Sequence, residues 1–307
     1  MERRSFLAGA AALYTARLMA DEVSKPSRKV YIFSKHLQFL QGDALAVGAA
    51  EIGFDGIDIT VRDKGHVEPA VVAQELPRLV GIIRKHGLEV PMITAGIVDA
   101  DSPHAEEILK TMSSLGIRKY RWGGFKYDLK QPMAPQFEEL RRRIQKLAAL
   151  NAKYQVTAMY HTHSGVGQAG ASVWDLYMLL KEFDRKSVAL NYDVGHATIE
   201  GGLGGWIHSL RGCAPYIAGV AVKDFLWQKN AKGVWNADWC PMGEGMVHLP
   251  QFFQQLNALQ FSGPVQMHVE YKLGGAENGN TTISLSKEQV FAAMKKDLAV
   301  THAAMAA

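Results

Sequence analysis

The sequence predicts a single (β/α)8 barrel of the TIM type, in the α/β class. Short apolar strands alternate with amphipathic helices, and the alternation repeats about eight times over roughly 280 residues, as such a barrel requires. A doubly wound open sheet is the alternative, but that fold usually shows a glycine fingerprint after its first strand. Here the first strand runs into Phe33-Ser34-Lys35-His36, which has no glycine-rich phosphate turn.

The first half of the chain contains four predicted strands and four predicted helices. Apolar runs predict the strands, and apolar residues three and four positions apart predict the helices. In the second helix Leu76, Leu79 and Ile83 fall on one face. Gly87 then supplies the helix stop. The predicted strands are 29–33, 56–61, 90–97 and 119–122, and the predicted helices are 44–52, 71–86, 105–115 and 135–151.

The second half repeats the same alternation and ends in a helix. A long segment, 226–247, interrupts it and carries Trp227, Trp235 and Trp239. We interpret this segment as an elaborated barrel loop and not as a domain boundary. The predicted strands are 156–160, 188–193, 217–225 and 265–271, and the predicted helices are 173–183, 206–211, 249–259 and 286–304.

The N-terminus resembles an export signal. Arg3-Arg4 is followed by the short, alanine-rich apolar run Ala8–Leu13, as in a twin-arginine signal peptide. The run is too short to span a bilayer. A frayed amphipathic helix is the alternative. We therefore expect a signal peptide over residues 1–20, a barrel over residues 21–307 and a periplasmic protein.

Composition and charge exclude several classes of partner. The chain has 307 residues, 48% of them hydrophobic and 21% charged, with a formal net charge of +4. No long basic run is present, so neither nucleic acid nor an anionic membrane is predicted as a partner. Cys213 and Cys240 are the only cysteines, and a disulfide between them after export is left open. A homo-oligomer is compatible with the sequence.

Polar side chains stand where most of the predicted strands end. In a barrel of this type the active site forms at these carboxyl ends. Because side chains alternate along a strand, His161 and His163 share one side, and so do His268 and Glu270. The residues at strand ends are Lys35, His36, Arg62, His66, Thr94, Arg121, His161, His163, Asp193, His196, Lys223, Asp224, His268 and Glu270.

Imidazoles and carboxylates converging from three strands can hold a divalent ion. Imidazole suits Zn, Ni or Fe(II), and a mixture with carboxylate also permits Mn or Mg. The alternative is that the histidines pack at the barrel mouth, hydrogen-bonded to carboxylates, without a metal.

Several short motifs together resemble the xylose isomerase-like superfamily of TIM barrels. That superfamily includes sugar phosphate isomerases and epimerases, and AP endonucleases of the same fold. The resemblance covers nearly the whole chain after the signal segment. The motifs are Gly53–Asp58, His161–Gly165, Asp193–Ala197, Val222–Asp224, Pro241–Gly245 and Glu270–Tyr271.

The resemblance implies an altered metal site. Asp193 and Glu270 match two of the four usual ligands of the family, and His161 stands in place of a glutamate. Ala221 replaces the histidine expected on the seventh strand and cannot bind a metal. We therefore expect Mn, Zn or Mg on His161, Asp193 and Glu270, with other histidines as substitutes, or no metal. The AP endonucleases need several more metal histidines, so DNA repair is not predicted.

The resemblance also implies chemistry next to a sugar carbonyl, through an enediolate that a divalent ion stabilises. The predicted function is a sugar isomerase or epimerase acting on a free or oxidised sugar. A lyase or hydratase that cleaves 3-keto-glycosides by β-elimination and a non-catalytic sugar-binding barrel are the alternatives. The expected proton carriers or catalytic groups are His163, His196, His268 and Lys223, and the expected substrate contacts are Lys35, Arg62, His66 and Arg121.

Overall fold

The structure is a computed structural model that describes residues 28–307, so the predicted signal segment lies outside the described residues. The described residues form ten strands, of which eight are parallel and close into a barrel, as predicted, while the eighth and ninth in chain order form a separate two-stranded sheet. The strands in chain order are β1 (Val30–Phe33), β2 (Gly56–Val61), β3 (Ile93–Ala95), β4 (Lys119–Trp122), β5 (Thr157–His161), β6 (Val188–Asp193), β7 (Ile217–Val222), β8 (Asp224–Lys229), β9 (Trp235–Cys240) and β10 (Val265–Met267). The barrel order is β1-β10-β7-β6-β5-β4-β3-β2.

Eight α-helices cover the barrel within residues 28–307. Their apolar faces pack on the outward side chains of the strands, which gives the layered core of an α/β barrel. None of these helices is long and apolar enough to cross a membrane. The helices are α1 (Asp43–Ile52), α2 (Val72–Lys85), α3 (Ala105–Ser114), α4 (Met133–Tyr154), α5 (Trp174–Leu180), α6 (Val194–Cys213), α7 (Leu249–Ala258) and α8 (Lys287–Ala306).

Strand β6 shows how alternation separates the core from the site. Leu190 and Tyr192 point outward, and the hydroxyl of Tyr192 donates to the backbone oxygen of Trp206 on α6 (2.7 Å). Ala189 points inward and packs in a small apolar cluster at the barrel floor. Two positions later comes a buried amide, Asn191, and two positions after that a buried carboxylate, Asp193. One face of a single strand therefore changes from apolar to charged toward its carboxyl end.

Helix α6 begins earlier than the predicted helix over 206–211. It starts directly after β6 because the side chain of Asp193 accepts from the backbone N–H of His196 and caps the helix (3.0 Å). The glycines over 201–205 hide the helical periodicity, and the backbone is non-helical at Gly202 (φ 58°). The strand end and the helix start are thus one continuous unit.

The segment after β7 is a hairpin and not an irregular loop. Strands β8 and β9 pair antiparallel, so the predicted strand over 217–225 is divided at Lys223. Asp224 fixes the base of the hairpin because its carboxylate accepts from the backbone N–H groups of Phe225, Gly243, Gly245 and Val247 (2.9–3.0 Å). A Cβ at Gly245 would lie 2.2 Å from the same carboxylate, so only glycine fits there. Lys223 turns the other way, into the barrel.

Both cysteines carry free thiols. Cys213 is buried at the end of α6, and Cys240 lies at the end of β9.

A buried carboxyl ties the end of this hairpin to the last helix. Asp297 on α8 accepts from the backbone N–H of Met242 (3.1 Å) and from the hydroxyl of Tyr271 (2.8 Å). Burial raises the pKa of Asp297 to about 6. At higher pH the folded protein must therefore hold an ionised group in an apolar environment.

We predict that Asp297→Asn stabilises the protein at pH 8 by about 2 kcal/mol and has little effect near pH 4. A carboxyl whose pKa is raised by folding contributes stability below its unfolded pKa, and that contribution is lost as the pH rises through about 6. Urea unfolding at the two pH values measures the difference. Asp238→Asn, at an exposed position on β9, is the matched control. Equal destabilisation by Asp297→Asn at both pH values would contradict the prediction.

Candidate active site

Asp193 lies at the centre of the polar cluster at the carboxyl ends of the strands. Its backbone N–H donates to the hydroxyl of Thr162 (2.9 Å), and its Oδ1 caps α6. Its Oδ2 is buried and has no hydrogen-bond partner among residues 28–307. This oxygen faces Nζ of Lys223 at 3.2 Å, Nε2 of His161 at 3.4 Å and Nδ1 of His268 at 3.9 Å.

Lys223 places a buried ammonium group among these residues. Its side chain is 2% exposed, and Nζ lies 3.7 Å from Oε2 of Glu270 in addition to Asp193. The ammonium also lies 4.2 Å from the ring centroid of Trp239, which is within the range of a cation–π contact. A Cβ at Gly195 would lie 2.7 Å from the side chain of Lys223, so the glycine of the Asp-x-Gly-His motif leaves room for this lysine.

His196 continues the polar contacts from Lys223 to the surface. Lys223 Nζ donates to Nε2 of His196 (2.6 Å), which assigns the imidazole proton to Nδ1. That Nδ1–H then donates to the hydroxyl of Ser164, which is partly exposed (2.8 Å). A hydrogen-bonded chain therefore connects the solvent-facing Ser164 with the buried ammonium.

His161 and His163 occupy fixed orientations beside the hydrogen bonds that join Lys223, His196 and Ser164. Nδ1 of His163 donates to the backbone oxygen of His161 (3.1 Å), and its Nε2 accepts from the guanidinium of Arg121 (3.3 Å). Nδ1 of His161 accepts from the amide of Asn191 (3.2 Å), which in turn donates to Gln266 (3.0 Å). Burial lowers the pKa of His163 to about 4 and lowers that of His161 well below its usual value.

His268 and Glu270 follow β10 and differ in their surroundings. Both ring nitrogens of His268 are buried without a hydrogen-bond partner within the described residues, and burial lowers its pKa well below the usual value. Glu270 is 24% exposed and lies 4.0 Å from Nζ of Lys35. Burial alone would raise the pKa of Glu270, but the positive charges of Lys223 and Lys35 outweigh it and lower the pKa. The site thus combines neutral imidazoles with ionised carboxylates.

The predicted substrate contacts separate into two groups. Arg62 and Arg121 lie over the ring of Phe33, with guanidinium carbons 5.5 and 5.3 Å from its centroid. His66 is not brought to the cluster, because its ring nitrogens are bonded to the hydroxyl of Thr60 (3.2 Å) and the backbone oxygen of Leu40 (3.1 Å). We therefore assign His66 to loop packing and keep the arginines and Lys35 as groups that face the site.

Sequence reasoning missed three contributors to the site. Asp58 on β2 is fully buried, accepts from the hydroxyl of Thr94 (2.7 Å) and has its pKa raised to about 7 by burial. The sequence signal for Asp58 was a single carboxyl residue within the otherwise uncharged strand β2. Asn191 contacts His161, and Ser164 contacts His196. The roles of these two residues depend on which ring nitrogen of each histidine carries the proton, and no sequence pattern shows that.

The donor atoms fit a divalent metal ion when the amide of Asn191 is turned so that Nε2 of His161 carries no proton. One ligand atom from each of His161, Asp193 and His268 lies within 4.8 Å of the others, and a second such group is formed by His161, His163 and His196. Two members of the first group contribute atoms that are buried without a hydrogen-bond partner within the described residues, namely Oδ2 of Asp193 and the ring nitrogens of His268. Ala221 pairs with Asp193 in the sheet and offers no ligand, while Glu270 lies outside both groups.

Comparisons with solved structures show the same fold. A D-psicose 3-epimerase from Clostridium cellulolyticum H10, solved with D-tagatose, has 12% identity and a TM-score of 0.66, covering 90% of this chain and 99% of that chain. A xylose isomerase-like protein from Mycobacterium smegmatis, solved with magnesium, has 16% identity and a TM-score of 0.62, covering 91% and 98%. A 3-keto-D-glucoside 4-epimerase from E. coli has 15% identity and a TM-score of 0.60, covering 82% and 97%.

Sequence comparison gives the family directly. No curated protein matches the chain. The model of the xylose isomerase-like TIM barrel family matches residues 48–288, which is most of the chain and includes ten of the eleven predicted site residues. With its closed eight-stranded barrel and a cluster of imidazoles and carboxylates at the strand ends, the chain belongs to the xylose isomerase-like TIM barrel family.

Proposed function

We propose that this protein is a sugar isomerase or epimerase that moves a proton at a carbon next to a carbonyl. The observation that carries the proposal is the buried cluster in which a lysine ammonium, two ionised carboxylates and neutral imidazoles meet at the barrel mouth. Groups held in opposite protonation states within one site are the usual basis of acid and base catalysis. The solved epimerases of the same fold support a sugar substrate.

His161, Asp193 and His268 would hold the divalent ion, and Mn, Zn or Mg suits this donor set. When bound, such an ion supplies Lewis-acid polarisation of carbonyl and hydroxyl oxygens. The family resemblance had implied Glu270 as the third ligand. We propose His268 instead, because its nitrogens are unpartnered and face Asp193, whereas Glu270 faces two lysines.

Glu270 and Lys223 are the proposed base and acid. Glu270 is ionised and partly exposed, so its carboxylate can take a proton from a bound sugar. The ammonium of Lys223 can return a proton, and His196 and Ser164 connect it with solvent for reprotonation. The imidazoles have lowered pKa values and therefore act at neutral pH as hydrogen-bond partners or ligands and not as acids.

A lyase is the second candidate. The ammonium of Lys223 could protonate a leaving oxygen, and the 3-keto-D-glucoside 4-epimerase of the same fold acts on a keto-sugar glycoside. Both reactions begin with proton removal next to a carbonyl, so they share the first step. Export through the proposed signal segment over residues 1–20 would favour a free or oxidised sugar over a phosphorylated one.

Isotope exchange tests the proposed function. The full chain, loaded with Mn, Zn or Mg, is incubated in deuterated water with free sugars, sugar acids and 3-keto-glycosides. Deuterium at the carbon beside the carbonyl without bond cleavage supports isomerisation or epimerisation, and release of the aglycone supports the lyase. Binding without exchange or cleavage would contradict both enzyme assignments and favour a sugar-binding barrel. Asp193→Asn provides the inactive background.

We predict that His268→Ala lowers the affinity for Mn or Zn by at least about 100-fold, because it removes a direct ligand. Glu270→Gln should lower it by less than about 10-fold. Isothermal calorimetry and elemental analysis measure the difference without relying on activity. His104→Ala, at an exposed position before α3, is the matched control. The reverse order of the two effects would restore Glu270 as the third ligand.

We predict that Lys223→Met lowers kcat by about 10²- to 10³-fold, because the proton donor is lost while the length of the side chain is kept. Lys223→Arg retains the charge beside Asp193 and should fold normally, yet it should remain slow because arginine does not release a proton. Single-turnover exchange and thermal melting separate catalysis from folding. Lys146→Met, on the exposed face of α4, is the control. Normal exchange in Lys223→Arg would rule out this proton-donor role.

A further inference from the structure

Arg62 and Arg121 carry positive charge into the barrel mouth without a matching carboxylate. Neither guanidinium forms an ion pair within residues 28–307, and the acid that acts on both of them is the buried Asp58. The hydrogen-bond partner of Arg121 is the neutral His163 (3.3 Å). Burial lowers the pKa of each guanidinium, but an arginine stays charged in proteins. A partly buried cation is costly without an anion beside it, so a bound anion would stabilise these two guanidinium groups.

The charges of the site leave a positive surplus. Four cations, Lys35, Arg62, Arg121 and Lys223, face three carboxyl groups. The two lysines lie next to Asp193 and Glu270, which leaves Asp58 as the remaining acid. Asp58 bonds to Thr94, and burial raises its pKa to about 7, which weakens it as a negatively charged partner for the arginines. The side chains of the site therefore carry more positive than negative charge, and the proposed divalent ion would increase this surplus.

The surplus charge lies one side chain away from the proposed reaction centre. The Phe33 ring that both arginines cover is 4.9 Å from the ring of His268, centroid to centroid. On the other side, Arg121 contacts His163, whose ring centroid is 4.7 Å from that of His161. A ligand that reaches His161, Asp193 and His268 with its carbonyl end can therefore place its other end on the arginines.

We propose that the substrate is a sugar acid whose terminal carboxylate binds Arg62 and Arg121. This inference rests on the proposed function and specifies its substrate class. Planar guanidinium groups recognise a carboxylate with paired, charge-assisted hydrogen bonds, and a neutral sugar hydroxyl would leave the surplus charge unpaired. The apolar face of Phe33 beneath the arginines excludes water from that end of the site.

The test compares acids with their neutral parents. D-Fructuronate is measured against D-fructose, and D-tagaturonate against D-tagatose, by calorimetric binding to the metal-loaded full chain and by deuterium exchange. We expect each acid to bind at least about 10-fold more tightly than its parent, since a buried ion pair distinguishes the two. Arg62→Gln and Arg121→Gln should each remove most of this preference for the acid over its neutral parent. Arg142→Gln, at an exposed ion pair on α4, should retain it.

The possible outcomes separate this inference from the proposed function. Exchange on D-fructose that equals exchange on D-fructuronate would overturn the inference and leave the isomerase or epimerase assignment intact. Stronger binding of D-fructose 6-phosphate than of D-fructuronate would overturn the carboxylate assignment. Arginine-dependent binding of the acids without any exchange would support the inference and contradict the enzyme assignment.

Arg62→Lys and Arg121→Lys keep the charge, so an intermediate preference in these variants, with unchanged thermal melting, would show that the charge acts on the ligand and not through folding.

Discussion

The buried carboxylate of Asp193 is the constraint on which the rest of the site depends. An ionised group without exposure is costly, and here each oxygen is compensated differently. Oδ1 caps α6 through His196, which fixes the loop between strand and helix. Oδ2 faces the Lys223 ammonium, which lowers the pKa of Asp193 against the opposing effect of burial. Because one residue ends the strand, starts the helix and holds the ammonium, the fold and the charge arrangement are specified together.

Much of the fold could be predicted because its signals are local. Apolar runs and helical periodicity gave all eight barrel strands, and the strand-end residues converge because parallel strands end at the same face of a barrel. The start of α6 and the hairpin after β7 could not be predicted in this way. The start of α6 depends on a side-chain cap followed by glycines without periodicity. The hairpin depends on Asp224, which accepts from the adjacent Phe225 and from three backbone N–H groups 19 to 23 residues later.

The residues that form the site could be predicted from the sequence, but the part that each residue plays in it could not. His161, Asp193 and Lys223 come together as strand ends must, whereas His66 stands at a strand end and is used for packing. Ala221 stands where the family resemblance implied a ligand, and His268, which follows the neighbouring strand, lies beside Asp193 instead. Distances of this kind depend on barrel register, which a single sequence does not contain. The unpaired charge on Arg62 and Arg121 is likewise visible only once the neighbours of each guanidinium are known.

The layer below the charged groups controls their chemistry. Along the inner face of β6 the chain passes from Ala189 to Asn191 to Asp193, so an amide layer separates the apolar floor from the ions. Asn191 donates to Nδ1 of His161, which places the imidazole proton on Nε2, the atom that faces Asp193. The Oδ1 atom of Asn191 is buried without a hydrogen-bond partner in the part of the chain that the structure describes. If the amide turned by 180°, that oxygen would accept from Nδ1–H and free Nε2 to bind a cation. The orientation of one buried amide therefore decides whether Nε2 of His161 presents a proton to Asp193 or a free lone pair to a metal ion.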